Sequence, residues 1–490
     1  MNATLAVALF VCSAAAPETD LDQLLHDYFL APDQGKQHKL QGEILATDGL
    51  TPGKLAESIR RLELWDSQPT GEMKVVLQLG KDKSTEKLVW LSVPHDYDPN
   101  ERWPLIIALH HAGGDARWTM DYTLGLLKDR ASEFIIAAPL WIGATSFVAE
   151  GQRPRIRGLG FTSATESVNQ PRLLVRKLRH RFHIDSNRVY LVGYSLGASN
   201  TWMGAVMHAD CFAGIAPISH VMQIFESHIF YPELLPNLRN TWILFSWGEK
   251  DINNAKGEVS STGGIAGRSR KMAKTIRELG LKRFKTFEMP GVGHQGVIPL
   301  EEDFLKLVDR RRRSYPKRIR QTFRLADQSE AYWIAADSLN GEPLSEGGRL
   351  QIRIRPGEAT DAAKRRVITE SIGRIEARCK GQKITLRSHR VPRVVLRLSD
   401  DLLDLDKKVR ILRGKKEVFN GRIKRDPEVM LREAARGWDF DRLPVARVVV
   451  PVAGRVEFGY PSDKKDRSKN AKKPKVRKKS RKAKTKRARD

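Results

Sequence analysis

The sequence predicts an α/β protein, a doubly wound and mostly parallel sheet with a small helical N-terminal segment, a β-rich accessory domain and a disordered basic tail. Three observations carry this prediction. Between Lys81 and Arg312, short apolar runs of strand length alternate with helix-like segments, the pattern of a parallel sheet covered on both faces. Beyond Arg320 the texture changes to short strand-like runs separated by turn residues. The last thirty residues carry sixteen Lys or Arg against three Asp, a net of +13, in a chain whose whole net charge is +28.

At the N-terminus, Ala3 to Val11 is mostly apolar and is followed by small residues from Ser13 to Ala16. Residues 1–16 therefore read as a secretory leader, although a basic n-region is lacking. Cys12 follows Val11 rather than a small residue, which argues against a lipoprotein. No segment reaches the roughly 20 apolar residues of a membrane span. The expected location is extracytoplasmic, periplasmic or secreted.

Residues 17–70 form the expected helical segment. Leu21, Leu24, Leu25 and Tyr28 share one helical face. Thr51 and Pro52 read as the cap and first-turn proline of a helix carrying Leu55, Ile59 and Leu62. A preface to the following domain is expected, with no chemistry of its own.

Residues 71–314 carry the chemistry. Arg188 to Ala198 reads RVYLVGYSLGA, a strand that stops at Gly193-Tyr194-Ser195-Leu196-Gly197 and continues as a helix. This is G-x-S-x-G in the strand–turn–helix setting that the motif requires. The turn strains the serine backbone, and only residues lacking Cβ let strand and helix pass closely. Thr241 to Trp247 reads as a buried strand followed by Gly248-Glu249-Lys250-Asp251. Arg283 to Met289 reads as the next strand, followed by the turn Pro290-Gly291-Val292-Gly293-His294. Serine needs a base within hydrogen-bond reach to act as a nucleophile. His294 is the candidate base and Asp251 the group that fixes its tautomer. Glu249, on the same loop, is the rival acid.

Pro104 to His110 is a further buried-type strand, followed by His111-Ala112-Gly113-Gly114-Asp115. Backbone N–H groups are pre-oriented donors for a developing oxyanion. The candidates are the N–H of Leu196 and that of His111 or Ala112. The adjacent His110 and His111 suggest a metal site only superficially, since neighbouring residues at a strand end point apart and no H-E-x-x-H or cysteine cluster joins them. No metal and no cofactor are expected. Trp141, Phe147, His220 and Trp247 follow strand-like segments on the same side and are candidates for a substrate wall, or for ordinary packing. The loops Trp141 to Gly160 and Ser219 to Asn240 would shape that pocket.

The order Ser195, Asp251, His294 is that of an α/β-hydrolase. Residues of about 70 to 312 resemble secreted esterases of the feruloyl esterase, acetylxylan esterase and polyhydroxybutyrate depolymerase type, near the phospholipase/carboxylesterase and prolyl oligopeptidase branches. The resemblance lies in LVWLSVPHDYDP, WPLIIALHHAGGD, DSNRVYLVGYSLGA, FAGIAPIS, WGEKD and PGVGH. It implies serine ester hydrolysis and says little about which ester; the expected reaction is hydrolysis of a small-molecule or polysaccharide ester through an acyl-enzyme on Ser195. The family has His-Gly where this chain has His110-His111. A prolyl-oligopeptidase-type peptidase would use the same triad but usually adds an N-terminal propeller, for which the preceding residues are too few. A third reading is a non-catalytic polyanion-binding protein on a hydrolase scaffold.

Arg310 to Arg320 reads as a basic hinge. Residues 315–460 are expected to form a sandwich-like accessory domain, built from RQTFRL, AYWIAA, LQIRIR, RIEARC, KITLRS, RVVLRL and RVVVPV. One helix-like piece, Pro427 to Ala435, interrupts them. Cys211 and Cys379 fall in different regions, so no disulfide framework is expected, and Cys211 reads as a core residue opening a strand. Residues 461–490 bury too little to fold. They are expected to attract polyanions such as anionic polysaccharide, a membrane or cell surface, or nucleic acid without sequence preference.

Overall fold

A computed structural model describes residues 20–80, 86–112, 116–140, 165–222, 231–252, 259–260, 263–340 and 353–460. Residues 1–16, read above as a leader, and Trp141, Phe147 and residues 461–490 lie outside the described residues.

Helices α1 (Leu21–Phe29), α2 (Gln34–Leu45) and α3 (Pro52–Arg61) open the chain. Each has a side-chain cap. Asp20, Asp33 and Thr51 accept from the backbone N–H groups of Asp22, Lys36 and Lys54, satisfying donors that a helix start otherwise leaves orphaned. Leu24, Leu25, Tyr28, Leu55 and Ile59 are buried. They are buried in the core of the C-terminal region, beside Ile319, Trp333 and Leu431, and not in the core of the large sheet. An amphipathic face states that it must be covered, but not by what.

Eight strands form the large sheet: β1 (Gly71–Gln78), β2 (Glu86–Val93), β3 (Trp103–Leu109), β4 (Ile135–Pro139), β5 (Ile184–Tyr194), β6 (Gly214–Ile218), β7 (Trp242–Gly248) and β8 (Phe284–Met289). Their order is β1-β2-β4-β3-β5-β6-β7-β8. From β4 to β8 neighbours run parallel, whereas β1 and β2 are antiparallel additions. This is the predicted doubly wound sheet. Strand residues alternate between two cores. Leu105, Ile107, Val189 and Leu191 join one, and Ile106, Ala108, Tyr190 and Val192 the other. Helices cover both faces, so β3, β4 and β6 are buried throughout.

Helices α4 (Ala116–Leu127) and α9 (Glu301–Val308) cover one face; α5 (Thr165–Arg181), α6 (Leu196–Met207) and α8 (Gly264–Glu278) cover the other, and α7 (Tyr231–Leu234) is one short turn. The segment read as helical from Arg172 begins earlier, at Thr165, and runs through Pro171. Cys211 sits in a 3-10 turn rather than opening β6, and it is buried. Burial pushes its thiol up to about 12. No helix among the described residues is long and apolar enough to cross a membrane.

The C-terminal region holds β9 (Arg318–Phe323), β10 (Ile334–Ala336), α10 (Thr360–Ser371), β11 (Gly373–Lys380), β12 (Lys383–His389), β13 (Arg393–Leu398), β14 (Val409–Arg413), β15 (Lys416–Gly421), α11 (Pro427–Gly437), β16 (Ala446–Pro451) and β17 (Glu457–Phe458). One sheet has the order β15-β14-β12-β11-β9 and the other β10-β13-β16-β17. Inward residues of both, such as Ile384 and Leu386 from one and Val394 and Val448 from the other, share a core. The region is β-rich with two sheets, with three differences from expectation. Helix α10 was not foreseen, β12 and β14 pair in parallel, and Arg353 to Arg355, the described end of LQIRIR, is not a strand.

Within the basic hinge Arg310 to Arg320, one cation, Arg312, turns inward as an anchor, while Arg310, Arg311, Arg313, Lys317 and Arg318 are exposed. Arg312 is fully buried. It donates to both carboxylate oxygens of Asp439, at 2.8 and 2.9 Å, and to the Asp210 carbonyl at 2.7 Å. A charge is tolerated inside when it is paired and hydrogen-bonded in this way.

Candidate active site

Ser195, Asp251 and His294 follow the C-terminal ends of β5, β7 and β8, the end of a parallel sheet where ligands bind. Ser195 has φ 53° and ψ −117°, far from the region L-residues favour. Its N–H donates to the Ile218 carbonyl at 2.8 Å, so the strained turn is pinned to β6. Both flanking glycines are required sterically. A Cβ on Gly193 would collide with the Gly197 backbone, and one on Gly197 with the carbonyls of Leu109 and His110. That second contact also sets the loop after β3 directly beside the turn.

The Ser195 hydroxyl lies 2.8 Å from His294 Nε2. His294 Nδ1–H donates to Asp251 Oδ2 at 2.7 Å, leaving Nε2 as the acceptor facing Ser195. Asp251 is buried, whereas the His294 side chain is 38% exposed. The acid is therefore held in a dry position, and the base can reach a substrate. Asp251 is fixed from both sides: its N–H donates to the Gly248 carbonyl at 3.3 Å, and its own carbonyl accepts from Ala266 N–H at 2.8 Å. Glu249 turns elsewhere. It is exposed, and its carboxylate accepts from Gly291 N–H at 2.9 Å, bracing the loop that carries His294. A Cβ on Gly248 would strike the Val292 and Gly293 carbonyls, so the two loops pack backbone to backbone.

Leu196 is the first residue of α6, where backbone N–H groups lack helical partners and the dipole is positive. His111 and Ala112 lie on the adjoining loop, while Gly113 to Asp115 lie outside the described residues. The backbone at His111 is not left-handed, so the position does not demand a glycine conformation. Both rings fold back along the chain. His110 Nδ1–H donates to the His111 carbonyl at 2.7 Å and His111 Nδ1–H to the Ala112 carbonyl at 2.9 Å. Among the described residues no group of three His, Cys, Asp or Glu is placed to hold a metal.

His220 is buried beside the triad. Its Nδ1–H donates to the Val221 carbonyl at 2.9 Å. Burial, with smaller contributions from Arg268 and His294, pushes it down to about 4, so the ring is neutral at pH 7. Trp247 is a core residue rather than an open wall: it is 3% exposed and packs on Phe245 with ring centroids 4.8 Å apart. Trp141 is outside the described residues.

Two residues that the sequence reading passed over steady the histidine loop. Tyr194 Oη–H donates to the His294 carbonyl at 2.7 Å, and its oxygen accepts from Val297 N–H at 3.4 Å. Tyr122 Oη–H donates to the Val297 carbonyl at 2.7 Å. Burial raises both phenols. Trp118 stacks on Tyr122, at 5.3 Å, and meets the His111 ring edge-on at 4.8 Å. One aromatic cluster thus spans the His111 and His294 loops. Tyr194 occupies the first variable position of G-x-S-x-G, the only signal that placed it near the site.

No protein-family model and no curated protein sequence matches the chain. Among solved structures, a thermostable esterase is 18% identical over 49% of this chain, with a TM-score of 0.36, and the chain spans 63% of its length. A feruloyl esterase module from Clostridium thermocellum is 12% identical, with 47% of this chain and 84% of that chain covered and a TM-score of 0.32. A protein from Bacteroides ovatus described as a putative dipeptidyl aminopeptidase IV is 16% identical, with 49% of this chain and 35% of that chain covered and a TM-score of 0.36.

Proposed function

We propose that this chain is a serine hydrolase that cleaves carboxylic esters through an acyl-enzyme on Ser195. One observation carries the reading. The hydroxyl of a strained Ser195, the His294 ring and the buried Asp251 carboxylate form a continuous relay at 2.8 and 2.7 Å.

The roles follow from that geometry. His294 Nε2 takes the hydroxyl proton as Ser195 Oγ attacks the ester carbonyl. The carbonyl oxygen becomes an oxyanion, stabilised by the Leu196 N–H and an N–H of the His111–Ala112 loop. Collapse breaks the ester C–O bond, and His294 returns the proton to the leaving alkoxide. Water then attacks the acyl-enzyme, giving its proton to His294, and Ser195 leaves with that proton. Asp251 holds the imidazole tautomer and stabilises the imidazolium throughout.

The substrate we propose is a small or polysaccharide-linked ester met outside the cytoplasm, with the basic tail holding the enzyme near polyanions. The basis is the esterase-like motifs, the apolar N-terminal stretch and the charge of residues 461–490. Turnover of a p-nitrophenyl ester series, methyl ferulate and an aminoacyl p-nitroanilide tests the reading in wild type and Ser195→Ala. Ester hydrolysis lost in the variant is expected. Anilide hydrolysis without ester hydrolysis would make the chain a peptidase, and no turnover by folded protein would leave a binding scaffold. Retention on heparin resin that falls steeply with salt, and is lost when residues 461–490 are removed, is expected of the tail.

A further inference from the structure

A second charged site, whose lining includes no residue of the Ser195 site, lies where the large sheet's helices meet the C-terminal region. A cavity of about 200 Å³ sits between α5, the turn Ala209–Cys211 and α11. It is larger than one or two waters need. Six arginines line it: Arg172, Arg176, Arg179, Arg397, Arg436 and Arg442. Arg172, Arg176 and Arg179 recur at helical spacing, so one face of α5 presents all three.

Four of the five carboxylates in the wall are engaged by arginines; the fifth, Asp327, is exposed and accepts only a 3.4 Å contact from Asn169 among the described residues. Glu330 accepts from Arg172 at 2.7 Å and from both terminal nitrogens of Arg436 at 2.8 and 2.6 Å. Glu433 accepts from Arg397 at 2.7 Å and from Arg436 at 2.6 Å. Asp210 accepts from Arg442 at 2.7 Å. Asp439 is spanned by Arg312.

Arg179 is the least engaged of the buried arginines in the wall, ion-paired with Asp439 only at 3.9 Å. It is only 6% exposed. Its Nη1 donates to the Gly437 carbonyl at 3.3 Å. Its Nη2 stands 3.9 Å from Asp439, too far for a hydrogen bond. Neither Nε nor Nη2 has an acceptor among the described residues, and the same holds for Nη1 of Arg397, 3.7 Å from Glu330. Arg176 reaches the cavity from its solvent side. Buried guanidinium donors without acceptors are costly, and a planar fork of N–H groups matches an oxyanion.

We propose that this cavity binds one small inorganic oxyanion, phosphate or sulfate, on Arg179, Arg176 and Arg397. The bound anion would tie α5 to the segment carrying α11 and so stabilise the docked C-terminal region.

The test uses the full chain, with melting followed at constant ionic strength while phosphate or sulfate replaces chloride in separate series. A saturable rise in Tm is expected in at least one series, because a ligand of the folded state alone stabilises by mass action. The half-saturating concentration is expected to rise about tenfold in Arg176→Gln, and saturation to vanish in Arg179→Met. Arg176 is exposed, so Arg176→Gln keeps the test valid should Arg179→Met not fold. Equilibrium dialysis with radiolabelled phosphate or sulfate is expected to show one equivalent more on wild type than on Arg179→Met, a difference that binding to the tail does not produce. A Tm rise that is linear and equal in all variants would be a general salt effect and would overturn the proposal. So would identical melting in chloride and both oxyanions, the result for a cavity filled by water alone.

Discussion

Asp251→Asn and Glu249→Gln form the most informative pair of substitutions. Two carboxylates lie on one loop, and the structure gives them opposite tasks. Asp251 is 6% exposed and accepts from His294 Nδ1–H at 2.7 Å. An asparagine there offers an NH₂ donor as readily as an oxygen. It would turn the imidazole so that Nε2 carries the proton and no longer accepts from Ser195. The same exchange in a serine protease lowers kcat by about 10⁴-fold, equivalent to about 5.4 kcal/mol of transition-state stabilisation at 1.36 kcal/mol per decade. Glutamine at 249 still accepts from Gly291 N–H through its carbonyl oxygen, so kcat should stay within about threefold, the scale of a surface substitution of about 0.5 kcal/mol. The assay is ester hydrolysis at saturating substrate, with circular dichroism and Tm showing that both variants are folded. Comparable losses in the two variants, or Asp251→Asn retaining more than about a tenth of wild-type kcat, would refute the assignment.

Further consequences follow from the same geometry. Gly193→Ala drives a Cβ into the Gly197 backbone, and overpacking of this kind should cost about 3 kcal/mol, read as a lower urea midpoint at unchanged m. Tyr194→Phe strips the His294 carbonyl of its donor. It should cost about 1–3 kcal/mol of stability and lower kcat more than it raises KM, which steady-state kinetics will show. His208 is buried and pushed down to about 3, by burial first and by Arg172 second. The unfolded chain binds its proton below about pH 6.5 while the folded chain does not, so stability should fall as pH drops from about 6.5 toward 3. His208→Gln, which keeps an N–H for Asn169, should flatten that part of the Tm–pH profile.

The parts of the site that were legible are those in which backbone geometry restricts the residue type. Gly193 and Gly197 are glycines because a Cβ has no room, so the turn announces itself within five residues. Strand ends followed by Gly-rich turns likewise placed Asp251 and His294. The sequence reading preferred Asp251 and kept Glu249 as its rival, since both fit the loop; burial and the partners of the two carboxylates separate them. Tyr194 and Tyr122 act through hydroxyls whose partners lie 100 and 175 residues away, a distance no local pattern spans. The inward turn of Arg312 was hidden for the same reason: nothing in the basic hinge marks it out, and its acceptor Asp439 lies 127 residues on. Helix α10 has few apolar residues to mark a face, and among its described side chains Ala363 is the buried one. The helices α1 and α3 were visible from caps and apolar spacing, but their docking against the C-terminal core was not.

The proposed reaction passes through a covalent acyl intermediate on Ser195. Its most direct test is rapid acid quench of the protein with p-nitrophenyl acetate, followed by peptide mapping by mass spectrometry. An acetyl group on the peptide containing Ser195, formed with a burst of p-nitrophenol and absent in Ser195→Ala, is the predicted result. Ester turnover that persists in Ser195→Ala, or a label residing on another residue, would contradict it.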